Sequence, residues 1–316
     1  MTPEMVILKT CLGLKTEESC LVMTDENKHE IADRIFKKAA SFANAELLKI
    51  PAGDFNGQEP PAWAAEKMLE YEVIVIATTK SLSWTEARVN ATKQGSRIAS
   101  MPGITTEIME RAIDVDYGSM GKITNELADI LDSGKKVEIT TEAGTNISFD
   151  IEQRIAYGRN VGVFHNPGDW GNLPGAEAFI APVEGTANGV YVVDASQAGI
   201  GKLNNPIKIK VENGFAVKIE GKEEAKDFRR VIDAVEDNNA YNVAEFGIGT
   251  NPKARISGIV LEDEKVKGTA HIALGKNSGF GGKIDVPFHV DGVFKSPTIF
   301  VDGKKIMEKG HYCEVL

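Results

Sequence analysis

The sequence predicts a two-domain α/β protein, with a parallel-sheet N-terminal domain followed by a mixed, β-rich C-terminal domain. In the first 130 residues, short apolar runs alternate with segments of helical periodicity, which is typical of parallel sheets. After residue 130, alternating apolar and polar residues flank Asn-Gly and Asp-Gly pairs, which favour β-hairpins. A chain of 316 residues can bury two cores, so we expect domains at 1–130 and 131–316.

The N-terminal elements follow one another as strand and helix. Thr24 and Asp25 are good N-cap residues between a buried strand and an amphipathic helix. The predicted strands are 19–24, 45–51, 72–79 and 96–100, and the predicted helices are 26–43 and 60–71. A further helix over Ile123, Leu127 and Leu131 closes this half of the chain. Such alternation predicts a parallel sheet with helices on both faces.

The C-terminal elements are mostly hairpins. Residues 136–152 predict strand, turn and strand, and residues 207–221 alternate strictly around Asn213-Gly214. Asp302-Gly303 predicts the same structure over 300–306. One amphipathic helix is expected over 222–237.

Composition excludes several classes of function. The 36 Lys and Arg residues against 46 Asp and Glu give a net charge of −10, which opposes binding to nucleic acid. No apolar run is long enough for a membrane span, and the N-terminal residues lack the pattern of a secretory signal. Three cysteines without CxxC spacing (Cys11, Cys20 and Cys313) fit a reducing cytoplasm. We therefore expect a cytoplasmic protein that acts on a small molecule or peptide.

A pair of side chains two residues apart suggests a metal site. If PFHVDG is extended, His289 and Asp291 point to the same face and can share one cation. His271 lies upstream in the apolar segment GTAHIALG. Two histidines and one carboxylate form the smallest set for a divalent transition metal, including Fe(II). Taken alone, His271 fits a hydrogen-bonded core histidine better.

Two glutamates stand among small and apolar residues. Glu177 lies in LPGAEAFIAP and Glu245 in NVAEFGIG, and a buried carboxylate needs a partner or a metal. A salt bridge, or a position on an edge strand, explains either glutamate alone. Together with His271, His289 and Asp291 they favour a metal centre in the second domain. Neither a GxGxxG nor a GxSxG motif is present, which argues against dinucleotide binding and serine hydrolase chemistry.

Other polar residues have two explanations each. His165 in VFHNPGDWGN either contributes to the site or caps a turn. Ser81, Ser83 and Thr85 follow a buried strand, where parallel sheets bind ligands, but they also suit the N-cap of the next helix.

Several motifs in order resemble one enzyme superfamily. They are ATTKSLSWTEAR, ASMPGIT, GNLPGAEAFIAP, EGTANGVYVVD, VAEFGIGTNP, GTAHIALG, FGGKIDVPFHVD and IFVDGKKIMEKGHY. Together they resemble the thermophilic-type metallo-aminopeptidases (aminopeptidases T and S), and equally the shorter dihydroxypyridine ring-cleaving dioxygenases of the same superfamily. The resemblance implies that five residues bind metal: Glu177, Glu245, His271, His289 and Asp291.

The two branches imply different chemistry. The first interpretation is a metal-dependent hydrolase of aminopeptidase type that acts on small peptides or aminoacyl amides, with one or two Zn, Co or Mn ions and Glu177 as catalytic base. The alternative is a mononuclear Fe(II) ring-cleaving dioxygenase, in which only His271, His289 and Asp291 bind iron. A third possibility is a binding module without catalysis, but the retained ligands argue against it. The resemblance also implies a homodimer.

One position departs from the aminopeptidase pattern. The aminopeptidases carry a tyrosine seven residues after the first histidine, and this sequence has Ser278 there. A serine does not reach as far as a phenol does. The substitution weakens the aminopeptidase interpretation and leaves the dioxygenase set of ligands intact.

Overall fold

The structure is a computed structural model that describes residues 1–313. Its α-helices are α1 Pro3–Met5, α2 His29–Ala40, α3 Ala62–Met68, α4 Glu86–Lys93, α5 Thr106–Ala112, α6 Tyr117–Ser133, α7 Glu223–Asp233 and α8 Val260–Asp263. A π-helix spans Val6–Cys11, and 3₁₀ helices span Asn238–Tyr241 and Ser278–Phe280. The strands are β1 Ser19–Thr24, β2 Asn44–Lys49, β3 Val73–Ala77, β4 Arg97–Ser100, β5 Lys136–Thr140, β6 Asn146–Asp150, β7 Trp170–Asn172, β8 Glu177–Ile180, β9 Asn188–Val193, β10 Ser196–Gln197, β11 Gly201–Lys202, β12 Ile207–Glu212, β13 Phe215–Glu220, β14 Val243–Gly249, β15 Thr269–Gly275, β16 His289–Lys295, β17 Thr298–Val301, β18 Lys304–Glu308 and β19 His311–Tyr312.

The chain forms two compact units. The first contains Met1–Tyr117 together with Asn160–Gly175, and the second contains Gly118–Arg159 together with the chain from Ala176 onward. The segment 160–175 therefore returns to the first unit. The expected division into domains at residue 130 stays a prediction. Within residues 1–313, no helix combines the length and apolar character that crossing a bilayer requires.

The first unit is built on a five-stranded parallel sheet of order β2-β1-β3-β4-β7. Its central strand β3 is fully buried, which explains its continuous apolar sequence. Ala64 and Met68 of α3 and Ala91 of α4 share a buried cluster with Leu21 and Ile74 of the sheet. The predicted parallel sheet is confirmed. Strand β7, which has only three residues and no apolar pattern, was not predicted.

The second unit contains two antiparallel sheets. One has the order β11-β10-β16-β15-β14-β8, and the other has the order β13-β12-β9-β6-β5-β17-β18-β19. Apolar residues of both sheets form one core, in which the rings of Phe149 and Phe246 lie 5.4 Å apart. The expected mixed α/β class, with a parallel first part and a β-rich second part, is confirmed.

The hairpin predictions are confirmed and one helix start is corrected. Asn213-Gly214 and Asp302-Gly303 all have positive φ, as a two-residue turn of type I′ requires. The helix predicted from residue 26 begins instead at His29. Asp25 is not its N-cap, because its Oδ1 accepts a hydrogen bond from the Asn27 N–H at 3.0 Å and its Oδ2 accepts one from the Thr79 N–H at 2.5 Å.

Candidate metal centre

Four neighbouring strands carry the five residues that the sequence singles out. The register pairs Glu245 of β14 with Ala273 of β15, and Ala273 with Asp291 of β16. Paired residues, and residues two apart on one strand, point to the same face of a sheet. Glu177 of β8, His271 of β15 and His289 of β16 therefore lie on that face as well.

The other face of these strands is apolar and buried. It contributes to the core of the second unit through Ala178, Ile180, Phe246, Ile248, Ala270, Ile272, Leu274 and Phe294. The alternation explains why each candidate residue has apolar neighbours in the sequence. One face stabilises the fold, and the other gathers ionisable groups.

The five residues form one cluster. His271 Nε2 lies 3.2 Å from Glu245 Oε1 and 3.5 Å from Glu177 Oε2. His289 Nε2 lies 3.5 Å from Glu245 Oε2 and 3.7 Å from Asp291 Oδ1. His271 is fully buried, and Glu245 and Asp291 are each 6 % exposed.

The two histidine rings of the cluster are positioned in different ways. Gly247 of β14 is paired with His271, and a Cβ atom at this glycine would lie 2.1 Å from Nε2 of the ring. The ring of His289 is held from the other side, since its Nδ1–H donates to the carbonyl of Lys276 at 2.8 Å. This hydrogen bond leaves Nε2 of His289 facing the carboxylates, as second-shell hydrogen bonds of metal-binding histidines commonly do.

The donor groups fit a divalent cation. Among the described residues, Glu177 Oε2, Asp291 Oδ1 and His271 Nδ1 are buried without a hydrogen-bond partner. A buried carboxylate oxygen without a partner is costly, and a metal ion removes that cost. The oxygen and nitrogen atoms form two groups with ligand spacing: Glu177 with Glu264 and His271, and Glu245 with His289 and Asp291.

The electrostatics of the cluster also indicate excess negative charge. Burial would lower the pKa of both histidines, but the carboxylates outweigh it and raise the pKa to about 9 for His271 and about 10 for His289. Burial would raise the pKa of Asp291, but His289 outweighs it and lowers the pKa to about 2. Burial raises the pKa of Glu245. A divalent cation would replace the protons on the histidines.

Two further residues of the cluster were not predicted from the sequence. Glu264 and Lys265 follow α8, and the Lys265 ammonium lies 2.5 Å from Glu177 Oε1 and also forms an ion pair with Glu264. The side chain of Lys265 is only 2 % exposed. Burial raises the pKa of Glu264 to about 8, although the Lys265 ammonium opposes this shift. The segment LEDEKVKG has the composition of an exposed charged turn, so its sequence gave no sign of burial.

The remaining candidates have local explanations. His165 Nε2 lies 2.9 Å from the carbonyl of Thr10 in the first unit. Thr85 caps α4 by accepting from the Arg88 N–H at 3.3 Å. Ser83 Oγ lies 2.9 Å from Ser100 Oγ. The contact of Thr85 supports its N-cap interpretation, whereas His165 and Ser83 each contact a segment distant in the sequence.

Ser278 lies outside the cluster of donors. It is exposed on a 3₁₀ helix, and its Oγ lies 3.4 Å from Asp285 Oδ1. The same loop places Phe280 against His289, with ring centroids 5.8 Å apart at an angle of 89°. This loop therefore places the apolar ring of Phe280, and not the Ser278 hydroxyl, beside His289.

Comparison with known proteins identifies the family of this chain. The fold and the donor groups are those of a metalloenzyme, and a family model described as NicX, 2,5-dihydroxypyridine 5,6-dioxygenase, matches residues 6–314. The chain belongs to this dioxygenase family.

Individual relatives agree with the family assignment. A curated relative, 2,5-dihydroxypyridine 5,6-dioxygenase from Pseudomonas putida KT2440, is 24% identical over 259 residues, which cover 78% of this chain and 73% of the relative. The solved structure of 2,5-dihydroxypyridine dioxygenase from the same organism has a TM-score of 0.83 at 18% identity and covers 99% of this chain and 97% of that one. Wild-type AmpT from Thermus thermophilus has a TM-score of 0.70 at 18% identity, with 98% of each chain covered. These two structural likenesses show the shared fold.

The first interpretation from the sequence is therefore wrong. The family match and the curated relative place the chain among the dioxygenases and not among the aminopeptidase hydrolases. The physical sign of this was Ser278, because the hydroxyl that replaces the phenol is exposed and hydrogen-bonded away from the donors. The resemblance to the dioxygenases is confirmed by the family match, and the error lay in ranking the aminopeptidases first.

Proposed function

We propose that the protein is a mononuclear Fe(II) dioxygenase that opens a dihydroxylated pyridine ring, with 2,5-dihydroxypyridine as the first substrate to test. The observation that carries this proposal is the meeting of His271, His289 and Asp291 on one face of two neighbouring strands. Two imidazoles and one carboxylate are the ligand set of non-haem Fe(II) oxygenases. Membership of the dioxygenase family supports the same set.

The chain's own residues would hold and orient the ion. His271 lies over Gly247, and the hydrogen bond to Lys276 fixes the ring of His289. Glu245 lies between the two rings, at 3.2 Å from one and 3.5 Å from the other, and is placed to orient both. Bound Fe(II) supplies the redox chemistry by which both atoms of dioxygen enter the opened ring, without an external reductant.

Aromatic side chains beside the donors support an aromatic substrate. Tyr157 and Phe179 stack with centroids 5.6 Å apart at 25°. Phe280 packs edge-on against Phe179 at 5.6 Å and against His289 at 5.8 Å. Phe179 is also two residues from Glu177 on the face of β8 that carries the donors. A flat hydroxypyridine ring would pack well against such rings.

Oxygen uptake tests the proposal. Protein loaded with Fe(II) under nitrogen is mixed with 2,5-dihydroxypyridine and air, and dioxygen uptake is measured together with loss of the ring's ultraviolet absorbance. We expect both signals, and labelled dioxygen should place two labelled atoms in the product. His289→Ala is the inactive variant, and His29→Ala, which alters an exposed histidine, is the matched control. Iron-loaded protein that consumes no dioxygen with any dihydroxypyridine isomer would refute the activity.

Two coarser expectations accompany this function. The free thiols Cys11, Cys20 and Cys313 support the proposal that the enzyme works in a reducing cytoplasm. The homodimer that the resemblance implies stays a prediction, and light scattering of the purified protein checks it.

A further inference from the structure

The backbone around Lys265 is held in place by its contacts with the end of β14 and with Asn251, which follows this strand. A Cβ atom at Gly249 would lie 2.3 Å from the carbonyl oxygen of Val266, so this glycine allows the segment to pass close to the strand. The N–H of Asn251 donates to the carbonyl of Lys265 at 2.8 Å, and the N–H of Lys267 donates to the carbonyl of Asn251 at 3.0 Å. The position of Lys265 is therefore fixed by main-chain contacts.

The ammonium of Lys265 is committed to two carboxylates. It lies 2.5 Å from Glu177 Oε1 and forms a second ion pair with Glu264. Its side chain is 2 % exposed, so water contributes little to its solvation. A buried ammonium without these partners would be strongly unfavourable. The Lys265 ammonium can therefore be buried only because Glu177 and Glu264 pair with it.

These two carboxylates are also members of a potential second ion site. Glu177, Glu264 and His271 have donor atoms within 4.8 Å of one another, as do Glu245, His289 and Asp291. The two groups would suit a centre with two metal ions. However, an ammonium and a divalent cation repel each other and compete for the same oxygens. Of these two groups among the described residues, the one that contains His289 and Asp291 makes no ion pair with Lys265, and Nε2 of His271 lies beside it, 3.2 Å from Glu245.

We propose that Lys265 takes the place of a second metal ion, so that its ammonium neutralises Glu177 and Glu264 and limits the centre to one divalent ion. This inference rests on the metal centre of the proposed function. It assigns Glu177 a positioning role, because one of its oxygens binds Lys265 while the other faces Nε2 of His271 at 3.5 Å. Lys265 is accordingly a positioning residue that sets metal stoichiometry.

Metal counting tests this inference independently of activity. Metal-free protein is titrated with Mn(II) by calorimetry, and the bound ions are examined by electron paramagnetic resonance, which distinguishes an isolated Mn(II) from a spin-coupled pair. We expect one ion in the wild type and two coupled ions in Lys265→Gln. The double variant Lys265→Gln/Glu264→Gln should return to one ion, because it lacks a ligand of the second site. Lys295→Gln, at an exposed lysine on β16, should bind one ion.

The outcomes separate the possible failures. One ion in folded Lys265→Gln would overturn the role of Lys265 and leave the proposed dioxygenase intact. Two ions in the wild type would overturn it without requiring any variant to fold. A wild type that binds no Mn(II) or Fe(II) would overturn the metal centre itself, and this inference with it.

Discussion

The ring of His271 lies against Gly247 on the neighbouring strand, where an added Cβ atom would come within 2.1 Å of Nε2 and 2.2 Å of Cε1. The contact is too close for any side chain, so Gly247→Ala must move the ring. Since a metal ligand requires close positioning, we expect Gly247→Ala to weaken Fe(II) or Mn(II) binding by at least about ten-fold. Calorimetric titration of metal-free protein measures the change.

Gly53→Ala is the matched control for this substitution. A Cβ atom there meets nothing nearer than 3.4 Å, and the backbone does not adopt a positive φ. Its metal affinity should equal that of the wild type. Unchanged affinity in Gly247→Ala would show that His271 is not a ligand.

The glutamates and the proposed iron ligands should respond differently to substitution. We expect His289→Ala and Asp291→Ala to lose the metal ion, because each removes one of only three ligands. Glu177→Gln and Glu245→Gln should keep one ion and lose at least about ten-fold in turnover, since they orient ligands. Elemental analysis beside dioxygen uptake measures both effects. Loss of metal in either glutamine variant would extend the ligand set to the carboxylates.

The fold was predictable where a residue pattern directly reflects a local structure. Asn213-Gly214 predicts its hairpin because both positions need positive φ, which these residue types tolerate. The start of α2 was not predictable in the same way. Asp25 is a good N-cap by its chemistry, but a contact with Thr79, more than fifty residues away, uses its carboxylate instead.

The candidate site was predictable only in part for a related reason. Glu177, Glu245 and His271 are conspicuous because ionisable residues rarely occur within apolar strands. Lys265 and Glu264 lie in a charged segment that resembles a solvated turn, and their burial depends on the absence of a side chain at Gly249, against which this segment packs. Such an approach between distant segments has no local signature. The choice between hydrolase and dioxygenase likewise needed comparison over the whole chain, because the two branches share these ligands.

The aromatic rings beside the donors should contribute to substrate affinity. Phe179→Leu keeps an apolar side chain of similar size and removes the ring that stacks on Tyr157. We expect KM for the dihydroxypyridine to rise about two- to ten-fold, the equivalent of roughly 0.5–1.5 kcal/mol for one aromatic contact, while bound iron is unchanged. Phe300→Leu, on β17 of the other sheet, is the control. Equal KM values in the two variants would exclude Phe179 from substrate binding.

The stability of the metal-free protein should depend on pH through the two clustered histidines. Their pKa values are raised in the folded state from the ordinary 6.5 to about 9 for His271 and about 10 for His289. A raised folded-state pKa contributes stability that is fully present below about pH 6.5 and is lost as the pH rises through the folded-state value. The free energy of unfolding, measured with urea, should therefore fall between about pH 6.5 and pH 10.

Variants distinguish this effect from general alkaline destabilisation. His289→Gln removes one of the two titrating groups, so the free energy of unfolding of this variant should fall less steeply with pH than that of the wild type. The side chain of His289 is 30 % exposed, and solvent screening makes this difference between variant and wild type smaller. His29→Gln alters an exposed histidine and should keep the full decline. Metal affinity should change in the opposite direction, because protons compete with the ion for the same nitrogens and binding tightens as the pH rises. A urea midpoint independent of pH across this range would show that the metal-free cluster does not hold these protons.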